Sequence, residues 1–193
     1  MSVRLAAGTA AAILGASLVL APLDASAAQP EDASEASARA FVQGFYDWYA
    51  GKVVAASKGK SAAGYGFIDA VRQRPHGFSP ELKRLLEEDV AAASKCPGEV
   101  VGLDWDPFLE TQESPGAYAV GKVEKAAPGF RVSVGDRKAR GVRNPVAEAD
   151  VAFVGGHWRF IDFVEEPTDP KSRQGLVAIL KGYERSGEYK CRP

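Results

Sequence analysis

The residue types that could do chemistry are densest at Leu103-Asp104-Trp105-Asp106-Pro107-Phe108-Leu109, with Gln112 and Glu113 just beyond. Two carboxylates two positions apart share one side of an extended strand, where they could bind a cation or share a proton. A third carboxylate stands in Trp158-Arg159-Phe160-Ile161-Asp162. Confining Asp162 with Asp104 or Asp106 in an apolar pocket would raise one pKa and suit it to acid/base work. Each also has a structural reading. Asp106 precedes Pro107, where a carboxylate caps a turn while Phe108 and Leu109 plug the core. Asp162 is either a functional carboxylate in a pocket or a strand-end residue bonded to backbone.

Other chemistries find little support. Only His76, His157, Cys96 and Cys191 could add soft ligands, too few for a structural zinc or histidine-rich site, so no metal is expected. Gly59-Lys60-Ser61 ends like a phosphate-binding loop, but Val54 stands where that loop needs its first glycine, and no buried strand precedes it. The nucleophile-elbow, zinc-hydrolase and dinucleotide motifs are missing, so no cofactor is expected. Arg137, Lys138, Arg140 and Arg143 form a local basic cluster without interleaved aromatics, in a chain of formal net charge −1. A solvated loop accounts for it, and nucleic acid is not an expected partner.

The elements that must position these residues follow from periodicity. Asp32 and Glu35 have capping-box spacing ahead of a helix that reaches Ala50, with Gly51 as its stop. Ala38, Phe41, Val42, Phe45, Trp48 and Tyr49 recur at three- and four-residue steps on its buried face, with Arg39, Gln43 and Asp47 turned away. Residues 51–66 read as a flexible loop and residues 67–74 as two helical turns ended by Pro75. Ser79 followed by Pro80 starts a helix to about Ser94, with Leu82, Leu85, Leu86, Val90 and Ala93 inward and Glu87, Glu88 and Asp89 solvated.

From Ala117 the period becomes two. Residues 118–125 and 130–134 predict strands joined around Pro128 and Gly129. Residues 146–154 and 157–164 predict a hairpin turning at Gly155-Gly156, with Val154 opposite His157 and Phe153 opposite Trp158. Strict alternation puts Ala147, Ala149, Val151, Phe153, Trp158, Phe160, Asp162 and Val164 on one face. Glu148, Asp150, His157 and Arg159 fall on the other, among Ala152, Val154, Ile161 and Phe163. Residues 173–183 predict a last helix capped by Ser172. Helices first and an antiparallel sheet afterwards define an α+β class, with the helices packed on one sheet face.

Arg4 precedes a mostly apolar run, residues 5–23, and Ala25-Ser26-Ala27 forms an A-x-A cleavage site. Residues 1–27 read as a secretory signal peptide, 28–37 as a leader and 38–193 as a single domain. Gly8, Thr9, Gly15, Ser17, Pro22 and Asp24 leave the run short of the roughly 20 solidly apolar residues a span needs, so stable membrane insertion is not expected. Export makes a Cys96–Cys191 disulfide the expected pairing, a structural bridge since no C-x-x-C motif is present.

The helix Ala40-Phe41-Val42-Gln43-Gly44-Phe45-Tyr46-Asp47-Trp48-Tyr49, the start Phe78-Ser79-Pro80-Glu81-Leu82, the D-x-D-P-F-L segment with Gln112, and Trp158 to Asp162 resemble the bacterial domain-of-unknown-function family numbered 3828. The resemblance covers about residues 38–164. It implies a nuclear-transport-factor-2-like, or cystatin-like, cone in which a curved sheet wraps helices, in exported proteins without an assigned reaction. Its signature points to Tyr46, Trp48, Asp104, Asp106, Gln112, Trp158 and Asp162.

The function expected from this reading is non-enzymatic: a periplasmic binding or accessory domain recognising an envelope protein or small ligand. Tyr46, Trp48, Gln112 and Arg159 are the candidate binding residues. Two alternatives stand beside it: an inhibitor or immunity protein against an envelope-acting enzyme, and a small acid/base enzyme using Asp162 with Asp104 or Asp106.

Overall fold

The computed structural model describes residues 32–57, 66–109, 116–137, 146–165, 171 and 173–191. The expected signal peptide, much of the leader and of the 51–66 loop, Gln112, Glu113, Lys138, Arg140, Arg143 and Ser172 lie outside the described residues.

Helix α1, Glu35–Ser57, opens on Ser34, whose Oγ accepts the Ser37 N–H at 3.2 Å. The cap is therefore Ser34, not Asp32, which instead accepts from Ser34 N and Oγ. Glu35 to Ser37, read as leader, form the first turn. The helix also runs through Gly51: one glycine costs only about 1 kcal/mol in a helix, and the following Lys52, Val53, Val54, Ala55 and Ala56 sustain it. Helix α2, Phe67–Gln73, ends before a 3₁₀ turn, Pro75–Gly77. Helix α3, Pro80–Ala93, begins where Ser79 Oγ accepts the Leu82 N–H at 3.2 Å.

The stripe of α3 is rotated from the expected one. Asp89 and Ala92 are buried, whereas Val90 and Ala93 are half-buried. Asp89 turns inward because its carboxylate accepts the Leu103 N–H at 3.1 Å, and a Cβ at Gly102 would run into that carboxylate. The positive φ of 75° at Gly102 suits the same residue type.

Strands β1 (Tyr118–Ala126), β2 (Gly129–Asp136), β3 (Ala147–Val154), β4 (His157–Glu165) and β5 (Gln174–Gly175) form an open sheet in sequential order, antiparallel throughout. Helix α4, Leu176–Ser186, closes the order. It starts later than expected because Gln174 and Gly175 pair with Glu165 and Val164 of β4. This is an α+β fold. Residues 31–193 form one compact unit, in which all four helices and one sheet face share a core. Phe108 lies at its centre, its ring 4.8 Å from Phe163 and 5.5 Å from both Phe78 and Tyr49.

At the β3–β4 hairpin, Gly155 and Gly156 take φ of 62° and 85°, the conformation of a two-residue turn, and Val154 opposes His157 while Phe153 opposes Trp158. The alternation then breaks. Val151 opposes Phe160 but Asp150 opposes Asp162, so β4 carries one extra residue, Ile161. The bulge reverses the expected faces beyond it: Phe163 enters the core opposite Ala149, and Asp162 joins Asp150 on the other side.

Candidate functional site

The three carboxylates that could have formed an acid/base centre have separate surroundings. Asp104 is exposed, and its segment is irregular backbone instead of a strand. Asp106 Oδ1 accepts the Phe108 N–H at 2.9 Å and Oδ2 accepts the Tyr49 hydroxyl at 2.5 Å, so it caps the turn that seats Phe108. Burial raises its pKa, opposed by Tyr49 and the Phe108 and Leu109 N–H groups.

Asp162 Oδ1 accepts from Phe163 N and Val177 N, each at 2.9 Å. Val177 is in the first turn of α4, whose own N-cap, Gly175, has no side chain to offer. The strand carboxylate therefore caps the helix from outside it, and a Cβ at Gly175 would collide with it. Burial raises its pKa, with the Val177 and Phe163 N–H groups holding it back.

On the same side of the sheet, Arg131 grips Asp150 with two bonds of 2.7 Å, and buried Glu148 takes Arg173 and Ser133. These pairs satisfy charge across strands. Among the described residues, no group of three His, Cys, Asp or Glu is placed to hold a metal ion.

The binding candidates divide similarly. Tyr46 is fully buried and donates to the Phe108 carbonyl at 2.7 Å. Trp48 is half-buried with the Arg74 guanidinium 4.0 Å from its ring centroid. Arg159 lies across from Ala152, and its buried Nε has no hydrogen-bond partner. Cys96 and Cys191 are joined as a disulfide. Among the described residues, no helix is long and apolar enough to cross a membrane.

The described residues also form an open cavity of about 490 Å³ at the end of the sheet, where the β1–β2 turn, Phe153 and Trp158 of the β3–β4 hairpin and Ala33, just before α1, come together. Its lining is Phe130, Phe153 and Trp158, a rim from Ala126 to Gly129, Ala33, and Lys125. Phe153 and Trp158 are cross-strand partners with rings 5.3 Å apart, and Phe130 lies 5.9 Å from the indole. Trp158 Nε1 donates to Ser37 Oγ at 3.0 Å, which fixes the indole against α1. None of the three carboxylates lines the cavity. Sequence reasoning placed Trp158 and Phe153 correctly as a pair but missed Phe130 and Lys125 as their neighbours. The available signal was Lys125 and Phe130 equidistant from the Ala127-Pro128 turn, which a hairpin sets opposite each other.

No family model, curated protein or solved structure matches the chain.

Proposed function

We propose that this chain is an exported, non-enzymatic binding domain that takes a small, largely apolar ligand at the end of its sheet. The observation that carries this reading is the open cavity of about 490 Å³ with three aromatic side chains in its lining, within the roughly 300–1,000 Å³ of small-molecule sites. Two of the carboxylates an enzyme would need are engaged in capping a turn and a helix. Export is supported by the apolar N-terminal run, the Ala25-Ser26-Ala27 site and the Cys96–Cys191 disulfide. The bulges in β1 and β4, which bend a sheet, support the curved sheet that a nuclear-transport-factor-2-like cone needs.

Native mass spectrometry of protein isolated from periplasmic extract tests the reading. The expected species begins at Ala28 and retains a small molecule that denaturation releases. A chain that keeps Met1, or one found only outside the periplasmic extract, overturns the reading of residues 1–27 as a cleaved export signal. An empty protein whose melting temperature no small amphiphile raises overturns the binding function.

A further inference from the structure

Resting on that reading of the cavity, we propose that its ligand is an amphipathic anion: an aromatic ring system stacked on the floor that Phe130, Phe153 and Trp158 build, with an acidic group held at Lys125. The floor and walls are aromatic. Phe153 leans on the indole at an interplanar angle of 62° and Phe130 at 55°, so the three rings pack into the floor of a shallow trough, with Trp158 buried and the half-buried Phe130 and Phe153 left for another flat ring to stack on. The indole N–H is already given to Ser37, so the floor offers the ligand no donor there. Pro128 has no N–H, and Ala126, Ala127 and Gly129 contribute no side-chain polar group. What polar surface the rim does offer a neutral ligand is the backbone of residues 126–129, not side chains.

Charge selectivity then comes from the rim, where Lys125 is the sole charged residue among the described residues of the lining. Lys125 pairs across the strands with Phe130, which puts both side chains on the sheet face that carries the trough. Its stem can lie along the Phe130 ring with the ammonium free at the mouth. The other lysine of β1 is engaged differently: Lys122 is held by Glu124 at 2.6 Å. Lys125 has no ion-pair partner among the described residues. Asp32, next to the lining residue Ala33, stays ionised with Ser34 N and Oγ as its donors and forms no ion pair with Lys125. A trough of rings with one unneutralised cation at its lip selects a ring with an acid attached.

Two dyes that share a skeleton test this on the full oxidised protein: 1-anilinonaphthalene-8-sulfonate, which carries the charge, and N-phenyl-1-naphthylamine, which lacks it. Fluorescence titration should give saturable binding of both, tighter for the sulfonate. Lys125→Met should weaken the sulfonate about three- to fivefold, the scale of an exposed ion pair, and leave the neutral dye unchanged. Added salt should weaken the sulfonate alone. Phe153→Ala should weaken both, and if it fails to fold, Phe153→Leu removes the ring while keeping apolar bulk. Binding of both dyes with no response to Lys125→Met overturns the anion assignment and leaves the cavity standing. No binding of either dye to protein with a native melting curve overturns the cavity reading and the assignment together.

Discussion

Gln43 on α1 and Val120 on β1 are joined as two strands would be: the Gln43 side-chain carbonyl accepts the Val120 N–H at 2.9 Å, while its amide donates to the neighbouring Tyr118 carbonyl at 3.2 Å. One turn earlier, Arg39 donates to the Gly121 carbonyl at 2.8 Å. One turn later, Asp47 holds Arg137 at 2.7 Å. The polar stripe of α1, which periodicity turns toward solvent, thus covers the first half of the β1 edge of the sheet. An uncovered edge is a template for pairing with another chain.

Gln43→Ala should therefore cost about 1–2 kcal/mol, since it strands a donor and an acceptor of the β1 backbone. It should also introduce concentration-dependent association. Urea denaturation and size-exclusion chromatography over a range of protein concentrations check the two effects separately. A variant as stable and as monodisperse as the parent would mean that water replaces Gln43 without loss.

Asp162 acts on α4 from a neighbouring strand, so its removal should behave as loss of a helix cap. Asp162→Ala should destabilise by about 1 kcal/mol, and Asp162→Asn by less, because the Asn carbonyl can still accept the Val177 N–H. Thermal melts of both variants provide the measurement. Equal losses would assign the effect to charge instead of capping.

Gly51 lies on the exposed side of α1, and a Cβ built there meets nothing within 4 Å. Gly51→Ala should stabilise the fold by about 0.5–1 kcal/mol, by restricting the unfolded chain and favouring the helix. A rise in the urea midpoint at unchanged slope is the expected result.

Much of this architecture was legible because local chemistry fixed it. Ser79-Pro80 marked the start of α3, and Gly155-Gly156 set a turn that carried the register from Val154/His157 to Phe153/Trp158. Alternation failed at Ile161, where an extra residue exchanged the positions of Asp162 and Phe163. A hint was present in Trp158, Phe160 and Phe163: three aromatics that all enter the core cannot be spaced two and then three apart in a regular strand. Asp89 was misplaced for a different reason. A carboxylate on a helix normally faces water, and what draws this one inward is the Leu103 N–H, fourteen residues away, which no local pattern reports. The carboxylates of the candidate acid/base site were likewise legible as residues but not as partners, because tertiary contacts with Tyr49 and Val177 decide what they do.

Asp89 gives the clearest pH dependence. Burial raises its pKa from 3.8 to about 6, with the Leu103 N–H and the Tyr189 side chain pulling it back. The folded state therefore holds a proton that the unfolded chain has released, and the contribution of Asp89 to stability is fully present below about pH 4 and is lost as pH rises from about 4 to about 6. The loss across that interval amounts to at most about 3 kcal/mol, at roughly 1.4 kcal/mol per pH unit. Asp106 and Asp162 are also raised by burial and add to the slope, so a difference between proteins isolates Asp89. Asp89→Asn keeps an acceptor for Leu103 and has no proton to lose, so it should flatten this part of the pH profile and exceed the parent in stability at pH 7. Urea melts from pH 4 to 7 measure it.

The same melts under reducing conditions test what keeps Asp89 dry. Tyr189 packs with Ala92, Cys96 and Val101 beside that carboxylate and stands two residues before Cys191, so the Cys96–Cys191 bridge ties its cover to the end of α3. Reduction should lower overall stability by about 4–5 kcal/mol on the chain-entropy account of a 95-residue separation. It should also let the segment carrying Tyr189 fray and admit water, which returns the Asp89 pKa toward its ordinary value and shrinks the difference between parent and Asp89→Asn. If the difference is the same before and after reduction, Tyr189 stays in place without the bridge, and the disulfide stabilises the fold through the unfolded chain alone.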